Sequence, residues 1–217
     1  MSFLQNHDQI GNRAFGDRLS AAPEKLALAR AGLLLAPQIP MLFMGEEWGA
    51  STPFQFFVDF AADPELSRAV REGRRREFRH FAAFSDPAAA ETIPDPTAEA
   101  TFRRCILDGR ERERSPHAEI LADTRRLLAI RRQVVLPLTR TTYLGPLNHL
   151  SAEDAIDLSW RYRAGTLRFA ANFGRREIEV ILDPGARPVW TSPAVRQEGL
   201  RLVLPPWTAL LTVEDAR

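Results

Sequence analysis

The sequence predicts an α/β portion followed by an all-β portion, and three observations carry that reading. Up to about Phe81, short strand-like runs alternate with helical ones. From about Val134 the apolar runs become short and are punctuated by turn residues. Of the 217 residues, 45% are hydrophobic and 9% aromatic, enough to bury the core of one large domain or two smaller ones. The predicted boundary separates residues 1–133 from residues 134–217.

Taken in order, Ser2 to Gln5 is a short strand-like run that ends in the polar loop Asn6–Asn12. Pro23 suits the first turn of a helix, and Leu26, Ala29, Leu33 and Leu34 recur at helical spacing through Ala36. Leu28, Ala31 and Leu35 make the opposite face apolar too, which predicts a well-buried helix. Ile39 to Met44 is a continuous apolar run, the pattern of a strand covered on both faces, and it ends at Gly45-Glu46-Glu47-Trp48-Gly49. Asp63-Pro64 reads as an N-cap and first helical residue, opening a helix through about Phe81. This order is the βα repeat of a parallel sheet or barrel.

Residues 82–116, rich in Pro, Ala, Asp and Glu, predict an irregular excursion. Ser115-Pro116 then opens a helix with Ile120, Leu121, Thr124, Leu127 and Leu128 on one face. Strands are expected at Ile156–Tyr162, Leu167–Phe173, Ile178–Leu182, Leu200–Leu204 and Thr208–Val213, which together make a small antiparallel domain of sandwich type. Two βα units cannot close a barrel, so the amino-terminal half reads as the end of something larger.

The formal charge is +1, from 29 basic and 28 acidic residues, which gives no electrostatic case for nucleic acid or an anionic membrane. Lys25 is the single lysine, a bias better explained by genomic base composition than by phosphate binding. One cysteine, Cys105, excludes an intramolecular disulfide and a multi-cysteine metal site, and it reads as an ordinary cysteine despite Arg103 and Arg104. His80, His117 and His149 match no metal spacing. No phosphate-binding Gly-rich loop, Gly-x-Ser-x-Gly elbow or Cys-x-x-Cys pair occurs. The amino terminus has neither a basic nor an apolar leader segment, and the run Ala31–Met44 is broken by Pro37, Gln38 and Pro40. A soluble, cytoplasmic protein without metal or cofactor is expected.

The segment Asn6-His7-Asp8 places a His-Asp pair directly after a strand-like run, where α/β proteins meet their ligands. The alternative is that the pair caps a helix or satisfies loop amides. Glu46 and Glu47 follow the next strand-like run. Adjacent parallel strands lie about 4.8 Å apart, and a retaining glycosidase needs two carboxyl groups about 5–5.5 Å apart. Asp8 with Glu46 is therefore one candidate pair; strand-end acids paired with arginines is the other reading. In Thr52–Phe60, Phe57 and Asp59 could meet the apolar face of a sugar ring, whereas Phe54 and Phe56 read as core. The run Arg74-Arg75-Arg76 reads as a solvated or salt-bridged helix face.

The stretches FLQNHDQIGNRAFGDRL and PMLFMGEEWGASTPFQFFVDF resemble the malto-oligosyltrehalose trehalohydrolases, members of the α-amylase family of glycoside hydrolases. DPELSRAVREGRRREF, IPDPTAEATFRRCILD, AEILADTRRLLAIRR and the closing LPPWTALLTV extend the resemblance along the chain. It implies the last two βα units of a TIM-type (β/α)8 barrel, followed by a carboxyl-terminal antiparallel β-sandwich. It also implies retaining hydrolysis of the α-1,4 bond next to the terminal trehalose of maltooligosyl-trehalose, through a covalent glucosyl-enzyme. Asp8 matches the family's third catalytic carboxylate, which holds the distorted sugar through its hydroxyls, and His7 hydrogen-bonds in the same subsite. Asn6, Gln9, Asn12, Arg13, Glu47, Phe57 and Asp59 are the expected substrate contacts.

Nothing matches the family's nucleophile and acid/base segments, so this polypeptide alone is expected not to hydrolyse glycosides. Its expected partners are a maltooligosaccharide or maltooligosyl-trehalose and a separate chain carrying the rest of the barrel. The rival expectation is a non-catalytic carbohydrate-binding or interaction module.

Overall fold

The computed structural model describes residues 1–82, 86, 88 and 91–216, with the backbone alone for Ser151 and Ala152. Part of the predicted excursion therefore lies outside the described residues. The chain forms two compact units: Met1–Leu4 with Ala21–Met41 and Ala122–Arg217, and Gln5–Ser20 with Leu42–Leu121. The architecture mixes helices with antiparallel sheet.

The first unit is built on two antiparallel sheets. Strands β1 (Tyr143–Ala152), β2 (Ala155–Tyr162), β3 (Gly165–Asn172), β5 (Arg187–Thr191) and β8 (Thr208–Asp215) form one, in the order β1-β2-β3-β8-β5. Strands β4 (Ile178–Ile181), β6 (Arg196–Glu198) and β7 (Arg201–Leu204) form the other, in the order β4-β7-β6. Ala170 and Leu210 from the larger sheet join Val180, Leu182, Leu202 and Leu204 in one buried cluster. Burying each of those leucines stabilises by roughly 2 kcal/mol before ordering costs.

Side chains alternate across a strand, so Phe169 turns the other way from Ala170. It meets Gly32 of α2 (Pro23–Leu35), whose Leu28, Ala31, Leu33, Leu34 and Leu35 are buried. Pro23 stands in the first turn of α2, as its fixed φ favours. Lys25, one turn in, places its ammonium 4.3 Å from the Trp207 ring centroid.

Arg131 supplies a second device at the other end of α2. Its guanidinium donates to the carbonyls of Leu34 (3.1 Å) and Ala36 (2.5 Å), where the helix end leaves carbonyls without partners, and to that of Gln38 (2.7 Å) just beyond it. It sits in a π-helical turn, Arg131–Val135, that continues α5 (His117–Ile130) into α6 (Leu136–Thr139). On α5, Thr124 and Leu127 are buried as the spacing predicts, while Leu128 is exposed.

Between β2 and β3, the buried Arg168 makes a two-pronged pair with Asp157, 2.7 Å on each side. A third donor reaches the carbonyl of Ile181 on the other sheet at 2.9 Å. The hydrogen bonds to Asp157 raise the Arg168 pKa despite its burial.

The two expected amino-terminal strands reduce to one parallel bridge, Ser2 to Pro40, closed by Ser2 N–H to the Ile39 carbonyl and Met41 N–H to the Ser2 carbonyl, 2.8 Å each. Among the described residues these segments have only each other, and their pairing stops at that one bridge. Phe3 and Ile39 accordingly remain exposed. No helix among the described residues is long and apolar enough to cross a membrane.

The second unit is mostly loops and short helices: α1 (His7–Gly11), a 3-10 turn at Glu46–Trp48, α3 (Pro64–Phe78), α4 (Glu99–Arg104) and a 3-10 turn at Gly109–Glu113. Asp63 caps α3 by accepting from Leu66 N–H at 2.9 Å, with Pro64 at its start, as the sequence predicts. The helix ends at Phe78 rather than near Phe81.

Candidate functional site

Asn6, His7 and Asp8 open α1, and their roles separate. Asn6 is the cap: its Oδ1 accepts from Gln9 N–H at 2.8 Å. His7 Nε2 lies 3.3 Å from Asp8 Oδ1, and both side chains are about 70% exposed. The capping role thus falls to Asn6, and the Asp8 carboxylate is left facing solvent with His7 beside it. A carboxylate that the local backbone does not use is available to a ligand. Gln9 and Asn12 are exposed as well.

Arg13 is occupied in holding the loop: its Nη1 donates to the carbonyls of Asp17 (2.7 Å) and Arg18 (3.0 Å). Beneath α1, Ile10 is fully buried, and the buried Gln5 accepts from Leu19 N–H at 3.0 Å. Gly16 permits a close approach: it has a positive φ of 68°, and a side chain there would collide with the Phe54 backbone.

The turn after Phe43 places its two glutamates differently, as consecutive residues must be. Glu46 is buried, and its Oε2 accepts from Phe43 N–H at 2.9 Å, so this acid braces its own turn. Glu47 is half-buried. Gly45 takes a φ of 83°, and a Cβ there would fall 2.7 Å from Ala50 Cβ. Arg18 ties the turn down through the carbonyls of Thr52 (2.5 Å) and Met44 (2.9 Å) and lies over the Phe43 ring. Burial lowers the Arg18 pKa, against the opposing pull of Glu46, Glu111 and Glu47.

In the arginine run on α3, expected as a solvated or salt-bridged face, Arg76 is exposed, while Arg74 departs from solvation. Arg74 is buried, and its Nη2 donates to the carbonyls of Gly11 and, at 3.0 Å, Arg13. Its guanidinium lies 4.6 Å from the Phe78 ring and 5.3 Å from the Phe56 ring. One side chain thus fixes the end of the His7–Arg13 segment and touches the phenylalanine stretch. Its pKa is lowered by burial, with Glu77 at 3.5 Å opposing. Phe56, expected in the core, is 39% exposed because it forms one side of this arginine stack. Phe54 is half-buried and packs edge-on to Phe43 (5.1 Å) and Phe57 (5.7 Å).

Phe57 and Asp59 meet in a groove of about 550 Å³ whose other wall carries Thr97, Glu99 and Phe102. None of these last three was singled out in the sequence. Neither was Glu111, which accepts from Ser51 N–H (3.3 Å) and Trp48 Nε1–H (3.4 Å) and pairs with the Ser51 hydroxyl. Burial pushes the Glu111 carboxyl up, but the bonds from Ser51 and Trp48 outweigh it and hold the pKa low. Cys105 is buried, accepts from Gln55 N–H at 3.1 Å, and has its thiol pKa raised by burial.

Residues 147–211 match a family described as a domain of unknown function (DUF3459). A malto-oligosyltrehalose trehalohydrolase of Rhizobium sp. (strain M-11) is 42% identical over 212 residues, covering 94% of this chain and 33% of that protein. One from Arthrobacter ramosus is 43% identical over 187 residues, covering 85% of this chain and 28% of that protein. The crystal structure of an α-amylase candidate from Salmonella typhimurium superposes with a TM-score of 0.82 at 37% identity, covering 99% of this chain and 35% of that one. The chain spans about a third of the length of these relatives and corresponds to their carboxyl-terminal part. Over its own length it is a homologue of the malto-oligosyltrehalose trehalohydrolases, among proteins of α-amylase type.

Proposed function

We propose that this chain is the carboxyl-terminal portion of a retaining glycosidase that hydrolyses the α-1,4 bond next to the terminal trehalose unit of maltooligosyl-trehalose. In this reading residues 1–133 are the last two βα units of a TIM-type barrel with the helices that follow, and residues 134–217 are a β-sandwich. The observation that carries it is the exposed His7–Asp8 pair, left uncommitted by a loop that Asn6, Arg13 and Arg74 hold in place.

Asp8 acts by binding the distorted sugar through its hydroxyls, an interaction that strengthens in the transition state. His7 donates a hydrogen bond in the same subsite. Asn6, Gln9, Asn12, Arg13, Glu47, Phe57 and Asp59 line the path of the glucan. The nucleophile attacks the anomeric carbon and the acid protonates the departing trehalose oxygen. Both come from the portion of the relatives that this chain does not span. The Asp8–Glu46 pair that the sequence offers does not replace them, since Glu46 is buried and accepts from Phe43 N–H.

The test measures trehalose released from maltooligosyl-trehalose by the purified chain, alone and mixed with a polypeptide that supplies the rest of a relative. The chain alone releases none. The mixture gains activity, and Asp8→Asn lowers kcat by about a hundredfold or more, the scale of one lost transition-state contact. Release by the chain alone, or activity indifferent to Asp8, overturns the reading. A second reading, a non-catalytic carbohydrate-binding module, is favoured by the Phe57–Asp59 groove and is the outcome if glucans bind but no mixture hydrolyses them.

A further inference from the structure

We infer that the groove between Phe57–Ala61 and the Thr97–Phe102 wall is a subsite for one glucosyl unit of an α-linked glucan. Phe102 is its stacking face, and Asp59 and Glu99 are its hydroxyl acceptors. The inference rests on the glycosidase reading above and assigns a binding role to Phe102 and Glu99.

The groove's size and walls fit a neutral pyranose. Phe57 and Phe102 meet edge to face, with ring centroids 5.3 Å apart, and Phe102 remains 46% exposed. A pyranose presents a patch of C–H groups to such a ring and hydroxyls around its rim, which call for acceptors on either side. Both carboxylates have one oxygen engaged and one to offer. Asp59 Oδ1 accepts from Ala61 N–H at 3.1 Å. Glu99 Oε1 takes both bonds from Arg103, at 2.9 and 2.6 Å. Asp59 Oδ2 and Glu99 Oε2 are the oxygens left for a ligand.

Charge narrows the occupant. Two carboxylates repel a phosphate or another anion. Arg103 already balances Glu99, and the described residues contain no group of three or more His, Cys, Asp or Glu that could hold a metal ion. What remains is a ligand with many hydroxyls and no charge.

The walls are also fixed in advance, which lowers the ordering cost of binding. Val58 N–H donates to the Pro96 carbonyl at 2.8 Å, tying one wall to the other. Asp95 accepts from Thr97 N–H (2.9 Å) and its hydroxyl (2.8 Å) and pairs with Arg71 at 2.6 Å. Phe56, next to Phe57, lies against the same Arg74 that holds the carbonyls of Gly11 and Arg13. One buried side chain thus braces both the residue next to the groove wall and the end of the segment bearing His7 and Asp8.

The test is ligand-observed NMR titration of the purified chain with maltotriose, with cellotriose and inorganic phosphate as comparison ligands. Maltotriose binds with a millimolar Kd, and Phe102→Ala weakens it about fivefold to tenfold, the size of one aromatic contact. Phe102→Tyr restores the affinity. Asp59→Asn, an exposed change that leaves folding intact, weakens binding about threefold or more through one lost charge-assisted hydrogen bond. No binding of maltotriose at high millimolar concentration, or binding unaffected by either loss variant, overturns the subsite. Equal binding of cellotriose or phosphate overturns the α-glucan assignment. These outcomes are separate from the hydrolysis assay, which reads Asp8: a reconstituted enzyme with no Phe102-dependent binding sinks the subsite alone, and Phe102-dependent binding without any hydrolysis sinks the glycosidase reading alone.

Discussion

In the unit that carries the sheets, the carbonyls of β2, β3 and β8 are paired by continuous ladders, and apolar side chains fill the space between the two sheets. In the unit that carries His7 and Asp8, ladders are replaced by guanidinium groups. Arg74 takes the carbonyls of Gly11 and Arg13, Arg18 those of Met44 and Thr52, and Arg13 those of Asp17 and Arg18. Arg131 does the same at the end of α2, where the helix ladder runs out. A buried carbonyl needs a donor wherever it stands, and arginine offers five in a rigid fork. Loops can then hold a defined shape without regular structure, at the cost of burying charge.

Arg168→Met should have the largest effect on the sheet-bearing unit. The sheets should survive the loss of a ladder-independent bond, but Asp157 would be left buried without its partner. Breaking such a pair costs about 3–5 kcal/mol, to be read from urea unfolding; a loss below about 1 kcal/mol would mean that the ladders carry the sheets without it. Arg74→Met comes next. It orphans two carbonyls, a cost of about 2–3 kcal/mol, and the damage should stay local. Hydrogen exchange of the Asn12 and Gly16 amides, both held within this loop, should quicken while Phe169 and Leu211 in β3 and β8 stay protected. Equal loosening of both regions would break the distinction between ladder-held and arginine-held backbone. Asp8→Asn has the smallest effect. Its side chain is 72% exposed, so stability should change by no more than about 0.5 kcal/mol, and a larger change would mean that the carboxylate serves the fold.

What could be read from the sequence follows the same division. The helices α2 and α3 show in apolar spacing and in Asp63-Pro64, because those signals are local. Strands β2, β3, β4, β7 and β8 show as apolar runs between turns. Strand β1 does not: Gly145, Pro146 and Asn148 interrupt it, and an edge strand tolerates such residues. Strands β5 and β6 do not show either, since β5 opens on Arg187-Pro188 and β6 is the polar run Arg196–Glu198. Ile39–Met44 reads as a buried strand by composition, yet pairing depends on neighbours that no local pattern encodes. Asn6-His7-Asp8 stands out as a polar segment after an apolar run. Arg74 does not, since its partners lie some 60 residues away and its flanking arginines mask it as a surface face. Phe102 and Glu99 are silent for the same reason: a groove wall is made by the other wall.

The contact between Lys25 and Trp207 has a practical consequence for anyone handling this protein. Lys25 is the single lysine of the sequence, so amine-directed chemistry has one side-chain target besides the α-amino group. Its ammonium rests against the Trp207 ring, so acylation would remove the positive charge from the indole face. The reagent that labels the chain would then also report, through the emission of that indole, on whether α2 and the turn before β8 remain together.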